Sequence, residues 1–306
     1  MAKINRAQLD ALYNNRALVP DHPAHFARWA KDSARVRATQ PCHLDVDYSS
    51  GSALPALPQQ TLDIFPAAPG ASGASPAPVM VFIHGGYWRS LDKSEHSFVA
   101  PAFTRQGACV VVPNYALCPG TPAQPVTICH IVMQIVQALA WTYRHIAAYG
   151  GDPQRISLVG HSAGGHLATQ LLACRWHKYA PDLPRGLVKN ALSISGLYAL
   201  DELRHVPFLK ESLLLTKPDA LAASPAWLPR PKLHASKKDF QGLLYCVAGA
   251  DESPAFIKQN KLMQKAWGKK RVPVCEEIGA HNHFSILQAL IDPTHRLHGL
   301  ASTLLI

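Results

Sequence analysis

The stretch Arg155-Ile-Ser-Leu-Val-Gly-His-Ser-Ala-Gly-Gly-His-Leu-Ala-Thr169 decides the fold of this chain. It is a short apolar run, a Gly-x-Ser-x-Gly turn centred on Ser162, and then a helix-forming segment. A strand, a sharp turn and a helix in this order hold a serine hydroxyl where a base can reach it. Gly160 and Gly164 lack the Cβ atoms that would clash in such a turn. The stretch therefore predicts Ser162 as a nucleophile.

Two backbone segments near this serine are candidates for an oxyanion hole. The helix after Ser162 directs free N–H groups at the reaction site, so the N–H of Ala163 can receive charge that develops on a carbonyl oxygen. His84-Gly-Gly follows the apolar run 79–83, and its small side chains leave further N–H groups accessible. We expect both segments to lie at the same end of the sheet.

The order of apolar runs predicts an α/β fold. Short buried strands alternate with helices, which is typical of a doubly wound, mainly parallel sheet. We predict the following elements: helices at 4–13 and 21–37, the second capped by Asp21; edge strands at 43–48 and 60–65; buried strands at 79–83, 109–113, 156–159, 191–194, 243–247 and 272–276; and helices at 126–149 and 254–267. Functional residues in such sheets collect at the carboxyl ends of the strands.

Length and composition favour one compact domain over residues 1–306. Hydrophobic residues make up 48% of the chain and charged residues 16%, which is typical of a globular protein. Residues 1–40 precede the sheet as a helical extension. The proline-rich segment 197–238, which carries Phe208, Trp227 and His234, interrupts the alternation and is a candidate cap over the site.

Charge and hydropathy exclude several classes of protein. The formal net charge is +10, but the basic residues are dispersed and no nucleic-acid motif accompanies them, so we expect no nucleic-acid partner. No apolar run is long enough for a membrane span and no secretory signal is visible, so a cytoplasmic location is expected. The oligomeric state is left open, with a homodimer as one option.

The seven cysteines are expected to be small buried hydrophobes rather than disulfides or ligands. Cys109, Cys246 and Cys275 lie inside apolar strand-like runs. Because no group of His, Cys, Asp and Glu has metal-binding spacing, we expect no metal and no cofactor.

Two further residues complete a candidate catalytic triad. Asp251 follows the strand at 243–247, where a carboxylate can orient a histidine, and His283 follows the last strand, where an imidazole can accept the serine proton. The chain order Ser, Asp, His is the one expected for this type of fold. Glu252 competes with Asp251 but is expected to point elsewhere from the turn, and His281 competes with His283. Asp251 can alternatively cap the helix at 254–267.

Other histidines are given structural roles. His84 is expected to be a buried, hydrogen-bonded strut, and His161 and His166 to serve packing or loop support. The aromatic side of the pocket is expected to include Trp88, with Phe208 and Trp227 as further candidates.

Several stretches carry a family resemblance: His84-Gly-Gly-Tyr-Trp88, Gly160-His-Ser-Ala-Gly-Gly-His-Leu-Ala168, Asp251 and His283-Phe284. They resemble the α/β-hydrolase superfamily, and within it the kynurenine formamidase (arylformamidase) group near the hormone-sensitive-lipase-like esterases. The N-terminal Tyr13-Asn-Asn-Arg16 and Val19-Pro-Asp-His22 resemble bacterial members of that group.

The resemblance implies roles for individual residues. Ser162 would be the nucleophile, His283 the base and acid, and Asp251 the orienting carboxylate. The N–H groups of Gly86, Tyr87 and Ala163 would form the oxyanion hole. Many esterases have a glycine at this position, whereas this chain has Tyr87 and thereby resembles the formamidases. The tyrosine disfavours esters of bulky alcohols.

The implied function is a serine hydrolase that acts through an acyl-enzyme on a small aryl formamide or ester. N-formyl-L-kynurenine is the leading substrate, which would place the enzyme in tryptophan breakdown. A carboxylesterase for short-chain or aryl esters is the alternative. A binding protein that has lost the chemistry is disfavoured by the complete set Ser162, Asp251 and His283. A haloalkane-type hydrolase is disfavoured because it would need a carboxylate at residue 162.

Overall fold

The fold is built on one eight-stranded sheet. The computed structural model describes residues 6–49, 56–71, 76–229 and 242–305. The strands are β1 (His43–Asp47), β2 (Thr61–Phe65), β3 (Ala77–Ile83), β4 (Cys109–Pro113), β5 (Gly151–His161), β6 (Val188–Ile194), β7 (Leu244–Gly249) and β8 (Val274–Ile278). Their order is β1-β2-β4-β3-β5-β6-β7-β8. β1 and β2 are antiparallel to their neighbours and all other pairs are parallel.

Helices cover the sheet and extend it at the N-terminus. They are α1 (Arg6–Tyr13), α2 (Asn15–Leu18), α3 (His22–Thr39), α4 (Ala100–Thr104), α5 (Ile128–His145), α6 (Ala163–Leu172), α7 (Trp176–Tyr179), α8 (Pro207–Leu213), α9 (Lys217–Ala222), α10 (Pro254–Trp267), α11 (Ile286–Ile291) and α12 (Arg296–Thr303). Short 3₁₀ turns link several of them. The predicted doubly wound, mostly parallel α/β sheet is confirmed.

The central strands form because apolar residues occupy consecutive positions, which suits a strand buried on both faces. Along β3, Val79, Val81 and Ile83 belong to one hydrophobic cluster, whereas Met80 and Phe82 belong to a second one. Successive side chains of a strand point to opposite faces, so the two clusters are the cores above and below the sheet. The carboxyl ends of the central strands lie along one edge.

The N-terminal helices agree with the predicted ranges, with α2 as an additional short helix between them. Asp21 occupies the N-cap position of α3, but its side chain makes no capping hydrogen bond. Its carboxylate lies 3.8 Å from Nε2 of His25 instead. The prediction that the Asp21 side chain caps this helix was therefore wrong. The side chain points along the helix and not back to the first N–H groups.

The predicted cap segment contains α8 and α9, and its residues 230–238, including His234, lie outside the described part of the chain. All seven cysteines are free thiols. Cys109 and Cys246 are buried, whereas Cys275 is half-buried because β8 is the edge strand. None of the helices in the described ranges has the length and apolar character that a membrane crossing requires.

Two buried histidines make stability depend on pH. Burial lowers the pKa of His96 to about 3 and that of His166 to about 4. In the unfolded chain both histidines have a pKa of about 6.5, so below that pH the unfolded state binds more protons than the folded state. Their stabilisation is complete above the unfolded pKa and is lost as the pH falls towards the folded pKa. Between about pH 7 and about pH 5, each histidine is expected to remove about 2 kcal/mol of the free energy of unfolding.

Urea unfolding at the two pH values measures this loss. The variant His166→Gln has one such group fewer and is expected to lose about 2 kcal/mol less over the same interval. An equal pH dependence in both proteins would show that His166 is not held neutral by the fold.

Candidate active site

Ser162 stands on a strained turn between β5 and α6. Its backbone has φ 56° and ψ −118°, and its N–H donates to the carbonyl oxygen of Ile194 at 2.8 Å. A Cβ on Gly160 would lie 2.1 Å from the carbonyl oxygen of Gly164, and one on Gly164 would lie 1.9 Å from that of Ile83. Only glycine fits at both positions, so the sharp turn expected from the sequence is present and raises the serine above the strand end.

A loop after β3 approaches this serine. A Cβ added to Gly85 would lie 3.0 Å from Cβ of Ser162. The loop continues with positive φ at Gly86 (108°) and Tyr87 (50°). Among the described residues, no acceptor is hydrogen-bonded to the N–H of Gly86 or Tyr87, and Ala163 opens α6, where N–H groups have no helical partner. The three N–H groups expected in the oxyanion hole are therefore free to donate hydrogen bonds to a ligand oxygen.

The carboxylate that contacts His283 is that of Glu252, not Asp251. Glu252 Oε2 lies 2.6 Å from Nδ1 of His283. Its Oε1 accepts hydrogen bonds from the N–H of Gly249, at 2.7 Å, and from the hydroxyl of Ser195. The Glu252 side chain is fully buried, so no solvent competes for these contacts. The carboxylate is held by three donors in a fixed orientation.

The pairing expected for Asp251 is thus wrong, and the turn after β7 explains why. The N–H of Glu252 bonds back to the carbonyl oxygen of Gly249, which folds residue 252 over the strand end. Asp251 lies at the outside of that turn and is exposed, with its N–H bonded to the carbonyl oxygen of His281. The longer glutamate side chain spans the remaining gap to His283.

His283 shares one pocket with Ser162. Its ring packs 4.8 Å from that of His161 and 4.7 Å from that of Phe256. Because Glu252 occupies Nδ1, Nε2 is the nitrogen left for proton exchange with the serine. His281 is not among the residues that line the pocket, and its Nδ1 lies 3.3 Å from the hydroxyl of Ser285.

Two other histidines near Ser162, His84 and His161, make structural contacts. His84 Nδ1 bonds to the carbonyl oxygen of Gly85 at 2.8 Å, and its ring stacks on Tyr115 at 4.3 Å. His161 Nε2 donates to the carbonyl oxygen of His283 at 2.8 Å. Burial, followed by repulsion from His283, holds the pKa of His161 well below its usual range. A neutral His161 supports the loop that carries His283.

The pocket above Ser162 has a volume of about 440 Å³. Five aromatic residues line it: Tyr87 from the loop after β3, Phe26 and Trp29 from α3, Phe208 from α8, and Phe284. Ser162 and His283 line the same pocket. The arrangement places a nucleophile, a carboxylate-paired imidazole and free backbone N–H groups around one cavity, which is the set that acyl transfer requires.

The chain is similar to known proteins in sequence and in structure. The model of the carboxylesterase family matches residues 60–202. The esterase of Pyrobaculum calidifontis is 17% identical and superposes with a TM-score of 0.65 over 98% of this chain and 96% of that one. A protein from Silicibacter sp. TM1040, to which thioesterase activity is ascribed, is 27% identical with a TM-score of 0.75 over 96% of this chain and 99% of its own.

The chain has the α/β-hydrolase fold. It is also similar to the kynurenine formamidase of Danio rerio, with 28% identity over 90% of this chain and 85% of that protein. These relatives make it an enzyme of the hydrolase class.

One aromatic residue expected in the pocket of this α/β-hydrolase lies elsewhere. Trp88 is fully buried, packs edge-on against the ring of His166 at 4.9 Å, and does not line the pocket. Positive φ at Trp88 turns its side chain into the core below the loop. Phe208 does line the pocket, whereas Trp227 is 54% exposed and does not. The prediction of Trp88 as a substrate-binding residue was therefore wrong.

The N-terminal part of the α/β-hydrolase forms a pocket wall that sequence reasoning missed. The lining residues of α2 and α3 include Asn15, Arg16 and Phe26. The preceding Tyr13 holds this wall in place, because its carbonyl oxygen accepts a hydrogen bond from the hydroxyl of Tyr87 at 2.6 Å. The sequence contained one sign of this wall: the stretch 13–16 is part of the family resemblance, although the sequence alone assigns it no role.

Proposed function

We propose that this hydrolase is an arylformamidase that cleaves N-formyl-L-kynurenine to kynurenine and formate. The observation that carries the proposal is the similarity to kynurenine formamidase over 90% of this chain. The formamidase of Drosophila melanogaster, 26% identical over 86% of this chain, adds to it. Tyr87 stands where many esterases have a third glycine, and its bulk beside the oxyanion loop favours a small acyl group.

The geometry of the site supports the following reaction. Ser162 Oγ attacks the formyl carbon while its proton passes to Nε2 of His283, and Glu252 stabilises the imidazolium through Nδ1. The N–H groups of Gly86, Tyr87 and Ala163 bind the oxyanion. His283 then gives its proton to the departing aryl amine, which leaves a formyl ester on Ser162. Water attacks this ester with His283 as the base, formate leaves, and Ser162 regains its proton.

A carboxylesterase is the second candidate function. It uses the same residues and the same steps, with an alcohol in place of the aryl amine. The match of residues 60–202 to the carboxylesterase family favours it. The two functions differ only in the shape of the pocket on either side of the scissile bond.

The steady-state rates on N-formyl-L-kynurenine, p-nitrophenyl acetate and p-nitrophenyl butyrate separate the two. A pocket that excludes additional acyl carbons discriminates by about 10- to 200-fold per methylene, so kcat/KM is expected to be highest for formylkynurenine and lowest for the butyrate. Ser162→Ala supplies the blank. Higher kcat/KM for the butyrate than for formylkynurenine would identify a carboxylesterase.

A further inference from the structure

Two arginines line the pocket without forming an ion pair with a described carboxylate. Arg16 comes from α2 and Arg89 from the loop after β3. None of the described residues that line the pocket is an aspartate or a glutamate. Glu95 lies within electrostatic range of Arg16, but its carboxylate accepts a hydrogen bond from the N–H of Asp92 at 3.0 Å. The pocket therefore carries positive charge that its own lining does not neutralise.

Each guanidinium is held in place and keeps donors for a ligand. Arg16 Nη2 donates to Ser90 Oγ at 3.1 Å, and its guanidinium carbon lies 5.3 Å from the ring centre of Phe26. Arg89 Nη1 donates to Ser212 Oγ at 2.9 Å, and the guanidinium carbon of Arg89 lies 5.5 Å from the ring centre of Phe208. A guanidinium has several N–H donors in a rigid plane that matches a carboxylate. Both groups are positioned without being saturated.

A third donor points to the same kind of ligand. Asn15 is 4% exposed and lines the pocket, and its Nδ2 has no hydrogen-bond partner among the described residues. A buried donor without a partner costs free energy until a ligand supplies an acceptor. An acceptor bound beside Arg16 would meet this need.

These donors lie close to the reacting centre. Ser90 Oγ, which accepts from Arg16, donates to the carbonyl oxygen of Gly86 at 3.0 Å. Arg16 is thus two hydrogen bonds from the loop that binds the oxyanion. Each guanidinium lies against an aromatic ring of the same pocket, Phe26 for Arg16 and Phe208 for Arg89. An aromatic leaving group can pack on these rings while its acidic group meets the arginines.

We propose that Arg16, Arg89 and Asn15 form an anion subsite that binds a carboxylate on the leaving group of the substrate. The preferred substrates are then aryl formamides or esters whose aromatic part carries a carboxylate. This inference rests on the proposed hydrolysis at Ser162, but it holds for a formamidase and for an esterase alike.

Two pairs of compounds test it, each pair differing only at the carboxylate. N-formyl-L-kynurenine is compared with its α-carboxamide, and 4-acetoxybenzoate with 4-acetoxybenzamide. The wild-type enzyme is expected to prefer the acid in the better-hydrolysed pair by about 10- to 100-fold in kcat/KM, the range for a charge-assisted hydrogen bond. The preference is expected to shrink as salt is added, because Arg16 is exposed.

The variants Arg16→Gln and Arg89→Gln assign the effect to residues. Each is expected to lower kcat/KM for the acid by about tenfold or more and to change it for the amide by less than about threefold. Arg204→Gln is the matched control, because Arg204 pairs with Asp201 at 2.8 Å and does not line this pocket. It is expected to keep the preference.

Three results would overturn the subsite: equal rates on acid and amide in the wild type, equal losses on both compounds in the variants, or the same loss in Arg204→Gln. If no compound is hydrolysed, the proposed function fails, and calorimetric binding of 4-acetoxybenzoate and 4-acetoxybenzamide to the wild type decides the subsite separately. Tighter binding of the acid that disappears in Arg16→Gln supports the subsite, and equal binding excludes it.

Discussion

Replacing Glu252 with glutamine is expected to lower kcat by about 10³- to 10⁴-fold with little change in KM. In the proposed reaction, the carboxylate accepts a hydrogen bond from Nδ1 of His283 and stabilises the imidazolium that forms when Ser162 is deprotonated. A glutamine amide can present its NH₂ group to Nδ1, which favours the tautomer with the proton on Nε2 and removes the base. Since the side chain is fully buried, water does not replace the lost charge.

The glutamine variant is also expected to fold. Its amide oxygen can still accept from the N–H of Gly249 and from the hydroxyl of Ser195, the two contacts that fix the turn. Thermal unfolding and steady-state kinetics are measured on the same preparations.

Asp251→Asn is the matched control for this experiment. Asp251 is exposed and makes no contact with His283, so we expect its kcat to stay within about threefold of the wild type, as for most surface substitutions. A large loss in Asp251→Asn together with an active Glu252→Gln would assign the triad to Asp251 and refute the pairing described above.

Replacing Ser162 with alanine is expected to lower kcat by about 10⁶-fold, since the nucleophile and its base act as a unit. The double variant Ser162→Ala/Glu252→Gln is expected to be no slower than Ser162→Ala alone, because the carboxylate has no role once the nucleophile is gone. Losses that multiply in the double variant would show that the remaining activity uses Glu252 without Ser162.

Covalent labelling identifies the nucleophile independently of the substrate. A fluorophosphonate is expected to label the wild type but not Ser162→Ala. Ser90 also lines the pocket, so Ser90→Ala is the control and is expected to be labelled like the wild type. Absence of label in the wild type would favour the alternative of a binding protein that has lost the chemistry.

Much of the fold follows from local patterns. Continuous apolar runs such as 79–83 and 109–113 form strands wherever both faces are covered, and the alternation with helices makes the sheet parallel. The turn at Ser162 is equally local, because Gly160 and Gly164 are needed within the same few residues. These elements were predictable because their causes lie within one short segment.

The acid and the pocket depend on contacts between distant segments. Asp251 and Glu252 are neighbours in sequence, and only the contacts of the Glu252 carboxylate with Ser195 and His283, 57 and 31 residues away in the chain, identify Glu252 as the acid. Trp88 and Tyr87 are likewise adjacent, yet one lies in the core and the other on the pocket wall. Two neighbouring residues can direct their side chains to opposite sides of the backbone. The residue types alone do not show which side each of them faces.

The sequence by itself determined the parallel sheet, the strained serine turn and the histidine that shares its pocket, since each arises from a short pattern with one stable conformation. Only the tertiary structure decided that Glu252 pairs with His283, that Trp88 is buried and that Arg16 lies above the site. Those outcomes depend on how α2, the loop after β3 and the turn after β7 pack together, and packing joins residues that are far apart in the chain.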